Sequence, residues 1–125
     1  MADKKIINPG TPVAGPYSPG IKVGNLIFVS GQGPAAGTKT IIEQTRSELE
    51  NIKKIVEAAG AKVSDIVKVT VFMTDINDFG KMNRTYQKFF EENGVSEKFP
   101  TRTTVEVSKF AAASMLIEID AIAAL

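Results

Sequence analysis

Asp65–Asp75, DIVKVTVFMTD, is the stretch that decides the architecture. Val, Thr and Phe dominate it, and these side chains favour a pleated backbone. Alternation puts Val67, Val69, Val71 and Met73 on one face and Lys68, Thr70, Phe72 and Thr74 on the other, which predicts a central strand. Helical spacing flanks it on both sides. From Ile41 to Ala59 the positions Ile42, Thr45, Leu49, Ile52, Val56 and Ala59 step by three or four, and Gly60 sits where a helix end favours glycine. Glu50 with Lys54 and Glu43 with Arg46 lie at supporting spacings on the outer face. A second helix is predicted from Asn77 to Asn93, with Phe79, Met82, Tyr86 and Phe89 inward and Gly94 as its stop.

Towards the start of the chain, Lys4–Ile7 reads as a short edge strand stopped by Asn8-Pro9-Gly10, and a Gly- and Pro-punctuated loop holding GPYSPG runs on to Gly20. Ile21–Val23 and Leu26–Ser30 are β-prone runs around Gly24-Asn25, a pair that tolerates tight hairpin turns. In the other direction two strands are predicted, Thr101–Val107 and Met115–Ala123, joined by a loop of small residues. Arg102, Thr104 and Glu106 share a face of the first, against Val105 and Val107. In the second, Leu116, Glu118, Asp120 and Ile122 oppose Ile117, Ile119 and Ala121. The order implies an α+β chain of one domain, residues 1–125, with a mixed sheet and both helices on one face. The uncovered face retains Ile, Leu and Phe, which predicts that another subunit covers it.

Composition narrows the chemistry. With 43% hydrophobic and 23% charged residues the chain has enough apolar material for a core. Its 15 basic and 14 acidic residues are intermixed, for a net charge of +1, and supply no field for tracking phosphates, so nucleic acid is not the expected partner. MADKKIINPG lacks an apolar run of signal-peptide length, and no stretch approaches the roughly 20 apolar residues of a membrane span, so a cytoplasmic location is expected. The chain has no Cys and no His. That excludes disulfides, thiolate nucleophiles, the usual zinc sites and histidine relays, and no metal or cofactor is expected. Catalysis is left to Arg, Lys, Asp, Glu, Tyr, Ser and Thr, backbone dipoles and water.

Two motifs dissolve on inspection. GQGPAAG, Gly31–Gly37, has the spacing G-x-G-x-x-x-G with Pro34 inside it, and reads as a glycine-rich loop leaving a strand rather than a dinucleotide site. Asp75, Asn77 and Asp78 resemble the start of a calcium loop, but Phe79 and Tyr86 occupy ligand positions, so helix capping is the reading. Arg102 is harder to dismiss. A guanidinium inside a β-prone strand needs an anion, either Glu106 or Glu118 in an ion pair or the carboxylate of a ligand. Glu118, within IEIDAIA, must be paired or have a raised pKa; it serves a cross-strand salt bridge or a proton-shuttling role. Tyr17, framed by Pro16 and a loop, is either a surface aromatic or the cap of a pocket.

GPYSPG, NLIFVSGQ, NIKKIVEAAG, DIVKVTVFMTD, MNRTYQKFF, FPTRTTVEV and IEIDAIA, in this order over nearly the whole chain, together resemble the RidA family, also called YjgF or reactive-intermediate imine deaminase A. The resemblance implies a chorismate-mutase-like α+β fold packed as a homotrimer, with the open sheet faces inside and ligand clefts between subunits. It also implies hydrolysis of 2-imino acids and their enamine tautomers, such as 2-iminobutanoate and 2-iminopropanoate, to 2-oxo acid and ammonia. Carried over residue by residue, Arg102 would clamp the substrate carboxylate, Glu118 would position water and relay protons, and Tyr17 would close the cleft. Ser30 and Gly31 would contact the imine end and Asn83 would line the cleft. Thr104 joins the substrate-binding set where many members carry a cysteine two residues after the arginine. The segment between Gly31 and the first helix looks shortened, and FAAAS, Phe110–Ser114, lacks the usual Leu-Pro. The alternative is a trimer that binds 2-oxo acids or related metabolites without turnover, in a regulatory role. Older family descriptions as translation inhibitors or ribonucleases conflict with the balanced charge.

Overall fold

Helix formers with an apolar stripe and β-branched runs alternate along the chain, and the computed structural model describes residues 2–125. The elements are β1 (Lys4–Ile7), β2 (Gly20–Val23), β3 (Leu26–Gln32), α1 (Ile41–Ala58), β4 (Ile66–Met73), α2 (Phe79–Glu92), β5 (Thr101–Glu106) and β6 (Ile117–Ala124). All strands join one six-stranded sheet in the order β1-β2-β3-β6-β4-β5. β4 and β5 run parallel, and every other neighbouring pair is antiparallel. No helix among the described residues is long and apolar enough to cross a membrane.

Local chemistry sets the boundaries. Gly24 takes φ of 59° between β2 and β3 while Asn25 keeps a negative φ, the pattern of a turn in which only the first central residue is left-handed. Thr40 and Glu43 form a capping box at the start of α1: the Glu43 N–H donates to Thr40 Oγ1 and the Thr40 N–H to Glu43 Oε1. Gly60, at φ 89°, ends that helix. Asp75 caps a short 3-10 turn, Ile76–Asp78, by accepting from the Asn77 N–H at 2.9 Å, so α2 starts at Phe79 instead of Asn77.

Leu49, Ile52, Ile55 and Val56 of α1 pack with Met82, Phe89 and Phe90 of α2 over Ile27, Val69, Val71, Met73, Ile117 and Ile119. Each such burial contributes roughly 1.5–3 kcal/mol. Three expected core positions lie elsewhere. Ile42 and Phe79 are exposed: Ile42 lies just beyond the buried face of α1, which runs through Gln44, Glu48, Ile52 and Ile55, and Phe79 stands at the first position of α2, beside the Arg102 guanidinium. Val67 is exposed because the pairing of β4 with β6 shifts register between Ile66 and Lys68, which buries Ile66 in its place. The outer-face pairs also differ. Glu43 is committed to the cap, and Arg46 pairs with Glu50 and with Glu92 of α2 while lying over the Phe89 ring. These exposed pairs, screened by solvent, add little to stability.

The opposite face of the sheet is uncovered. Ile6, Ile21, Phe28 and Ile122 follow one another across its rows, with Phe72 beside Val105 further along. Phe28 remains 43% and Val105 38% exposed.

Three polar side chains of α1, Gln44, Thr45 and Glu48, lie inside the covered core. The Gln44 amide donates to the carbonyls of Ser114 and Thr38, and its oxygen accepts from the Leu116 N–H at 2.7 Å, fastening the entry of β6 to α1. Glu48, one turn on, is 0% exposed, and neither of its carboxylate oxygens has a hydrogen-bond partner. Burial, and secondarily the charge of Glu118, pushes its pKa from 4.5 up to about 10. Below 4.5 the group is protonated in both states. Above it the unfolded chain ionises first, so stability is lost progressively as pH rises through the window to about 10. By pH 7 the loss is on the order of 3 kcal/mol. Glu48→Met keeps the helix and removes the carboxyl; it should raise the melting temperature at pH 8, with the gain shrinking towards pH 4.5. Thermal unfolding across that range checks it, and a gain independent of pH contradicts the assignment.

Candidate active site

The ladder between β3 and β6 is broken where the site residues lie. Val29 pairs with Ala121 and Gln32 with Ile119, so Ser30 and Gly31 bulge out of register. Ser30 is tied down from three sides: its N–H donates to the Pro19 carbonyl at 3.0 Å, its hydroxyl donates to the Ser18 carbonyl at 2.6 Å, and its own carbonyl accepts from the Gln32 amide. The hydroxyl proton is spent on Ser18, which leaves the oxygen lone pairs available.

Glu118 lies across this bulge. Its strand partner is Phe72, on the uncovered face. A Cβ added at Gly31 would stand 2.7 Å from Glu118 Oε2 and 2.8 Å from its Cδ, so the missing side chain of Gly31 is what makes room for the carboxylate. Glu118 has no ion-pair partner among the described residues. Burial, followed by the charge of Asp120, holds its pKa above the ordinary carboxylate value.

Arg102 faces the other way. It pairs with Val69, a buried residue under the helices, and its guanidinium meets α2. Nη2 donates to Asn83 Oδ1 at 2.7 Å, and Cζ lies 4.6 Å from the Tyr86 ring centroid and 5.6 Å from that of Phe79. Neither carboxylate considered as its ion-pair partner takes that role: Glu106 Oε1 accepts from the Ile76 N–H, and Glu118 lies on the opposite face. Asn83, Tyr86, Gln87, Phe99, Pro100 and Arg102 surround a cleft of about 440 Å³. Thr104, two residues on, shares the Arg102 face opposite Val71 and is half-buried. Tyr17 stands in the loop before β2, half exposed, its hydroxyl accepting from the Ala14 N–H at 3.3 Å. A larger hollow of about 580 Å³ under the loop Ser108–Met115 contains none of these residues, and Ala111, Ala112 and Ala113 supply much of its wall.

One chain therefore brings Ser30, Gly31 and Glu118 together on its uncovered face, and Arg102, Asn83 and Thr104 together at the edge next to α2. The two groups lie on opposite faces, with β4 between their strands. Tyr86 and Phe79 read in the sequence as core stripe; their spacing with Asn83, on one helix face, is the signal that all three could meet a single side chain.

Residues 9–125 match the family model described as Endoribonuclease L-PSP. A RutC family protein of Pyrococcus abyssi is 50% identical over 115 residues, covering 87% of this chain and 86% of that one. The 2-iminobutanoate/2-iminopropanoate deaminase of Escherichia coli K12 is 46% identical over 127 residues, 96% of each chain. Among solved structures, E. coli TdcF with bound serine superposes with a TM-score of 0.89 at 41% identity, covering 97% of this chain and 98% of that one.

Gly31 has an ordinary backbone conformation, and the atoms in the way of a side chain there are the movable end of Glu118. Gly31→Ala should fold with little change in melting temperature while displacing the Glu118 carboxylate, visible as a changed carboxyl titration by NMR. An unaltered Glu118 titration contradicts this contact.

Proposed function

This chain belongs to the RidA/YjgF family, and on that premise we propose that it hydrolyses 2-imino acids and their enamine tautomers, 2-iminobutanoate and 2-iminopropanoate among them, to 2-oxo acids and ammonia. The observation that carries the reading is Arg102. It is a half-buried guanidinium with no carboxylate partner among the described residues, steadied by an amide oxygen and an aromatic ring, with donors left for a ligand carboxylate in a cleft.

The reaction asks little of the protein beyond geometry and one proton shuttle. The carbon of a protonated imine is already electrophilic. With the carboxylate clamped by Arg102, Glu118 accepts a proton from water as its oxygen bonds to that carbon. It returns the proton to the nitrogen of the resulting carbinolamine, and as the carbonyl forms ammonia leaves and the hydroxyl proton passes to Glu118, which releases it to solvent. The raised pKa of Glu118 makes it a stronger base than an exposed carboxylate. Ser30 and Gly31 contact the imine end, Thr104 and Asn83 line the carboxylate end, and Tyr17 closes the cleft.

Because Arg102 and Glu118 occupy opposite faces of one sheet, the reading requires one chain to supply the clamp and its neighbour the base. A homotrimer that buries the uncovered faces around Phe28, Phe72 and Ile122 provides such clefts. A non-catalytic trimer that holds small carboxylates is favoured by one observation, the serine bound to TdcF. Carboxylate binding with hydrolysis no faster than in buffer would decide for it.

Two measurements test the deaminase reading. Arg102→Ala and Glu118→Gln should each abolish ammonia release from freshly generated 2-iminobutanoate. Unfolding and reassembling them together at equal amounts should restore about a quarter of the wild-type rate, since random pairing gives that share of clefts both intact residues. No recovery contradicts a shared site. On the acid side, kcat/KM should rise with pH through a midpoint above 4.5 as Glu118 ionises, and Asp120→Asn should move that midpoint down.

A further inference from the structure

A protein carboxylate on a guanidinium that must receive a ligand carboxylate would offset its charge and compete for its donors. The guanidinium still has to be held, because a free arginine side chain samples many rotamers and must lose that freedom on binding. Around Arg102 both supports are uncharged. Asn83 Oδ1 takes one N–H edge, and the Tyr86 ring lies under the guanidinium, 4.6 Å from Cζ and closer than Phe79. One hydrogen bond fixes a point; a ring beneath the group also fixes its plane.

The ring is itself immobile. Tyr86 is 4% exposed, and it stacks at 4.7 Å on Phe90, which meets Phe89 and Phe99 edge-on. Its hydroxyl is buried without a partner among the described residues, so what Tyr86 offers to the cleft it helps line, and to Arg102, is its ring.

We propose that Tyr86 is a positioning residue for the carboxylate clamp, its ring serving as an uncharged platform that sets the plane of the Arg102 guanidinium while Asn83 holds one edge. The inference rests on the deaminase reading and refines its substrate-binding half.

Tyr86→Leu removes the platform and Tyr86→Phe keeps it. Tyr86→Leu should raise KM for 2-iminobutanoate about tenfold with kcat within about threefold of wild type, and weaken 2-oxobutanoate binding in parallel. Tyr86→Phe should restore both to near wild type. Asn83→Asp, at the rim of the cleft, tests the uncharged character of the support without disturbing the core: it places an anion on Nη2 and should raise KM at least as much. Melting temperature and assembly size are checked for each variant. Should Tyr86→Leu not fold, Asn83→Asp decides. An unchanged KM in a folded Tyr86→Leu or Asn83→Asp protein overturns the proposal, as does a Tyr86→Phe variant as impaired as Tyr86→Leu. Arg102→Ala separates the two levels: if that variant remains active the deaminase reading falls, whereas an inactive Arg102→Ala beside an unaffected Tyr86→Leu removes only the platform.

Discussion

The strict alternation along β6 is the constraint from which the rest of the molecule follows. This strand lies between β3 and β4, paired antiparallel to both, so each of its side chains is committed to one face or the other. Ile117, Ile119, Ala121 and Ala123 meet the helices and are buried; Glu118, Asp120 and Ile122 point to the uncovered face. A slip of one residue would carry Glu118 and Asp120 into the apolar layer and Ile119 out of it. The register is secured at its entry by Gln44, whose amide oxygen holds the Leu116 N–H, and the bulge at Ser30–Gly31 is accommodated on the neighbouring strand. The position of Glu118, the space it occupies and the core beneath it are consequences of one pairing.

Arg102 obeys a different rule. Arg102 is on the edge strand, where its long stem can lie against α2 while its head reaches a cleft. Cation and carboxylate are kept on opposite sides of the sheet within one chain, which prevents them from satisfying each other. An intramolecular ion pair would be easy to form in a chain of 15 basic and 14 acidic residues, and it would silence both groups. Kept apart, both groups stay free, and under the proposed reaction they would meet only between two chains.

Much of this was legible in residue order. The hairpin around Gly24-Asn25, α1 with its stop at Gly60, the strand within DIVKVTVFMTD and the parity of the last two strands all follow from period and turn chemistry, because those signals are local. The strand order and the bulges were not legible, since they depend on partners distant in sequence. Ile42 and Phe79 were assigned inward for being apolar, but a helix buries the face its neighbours dictate, and on α1 that face includes Gln44, Thr45 and Glu48. Arg102 and Glu118 could be picked out as misfits in β-prone surroundings. That they stand on opposite faces required the pairing with Val69 and Phe72 to be known.

The placement of β6 also shapes how the chain reaches this state. β3 and β4 are connected through a whole helix and do not bond to each other, because β6, the last strand in sequence, lies between them. Until β6 arrives, the hairpin with β3 and the β4-α2-β5 unit are two half-sheets with bare edges. Closure needs contacts between distant segments, which slows folding and lengthens the time during which those edges are available to other chains. During synthesis the earlier strands therefore wait for their central partner, and the interval before it emerges is the period of greatest exposure to aggregation.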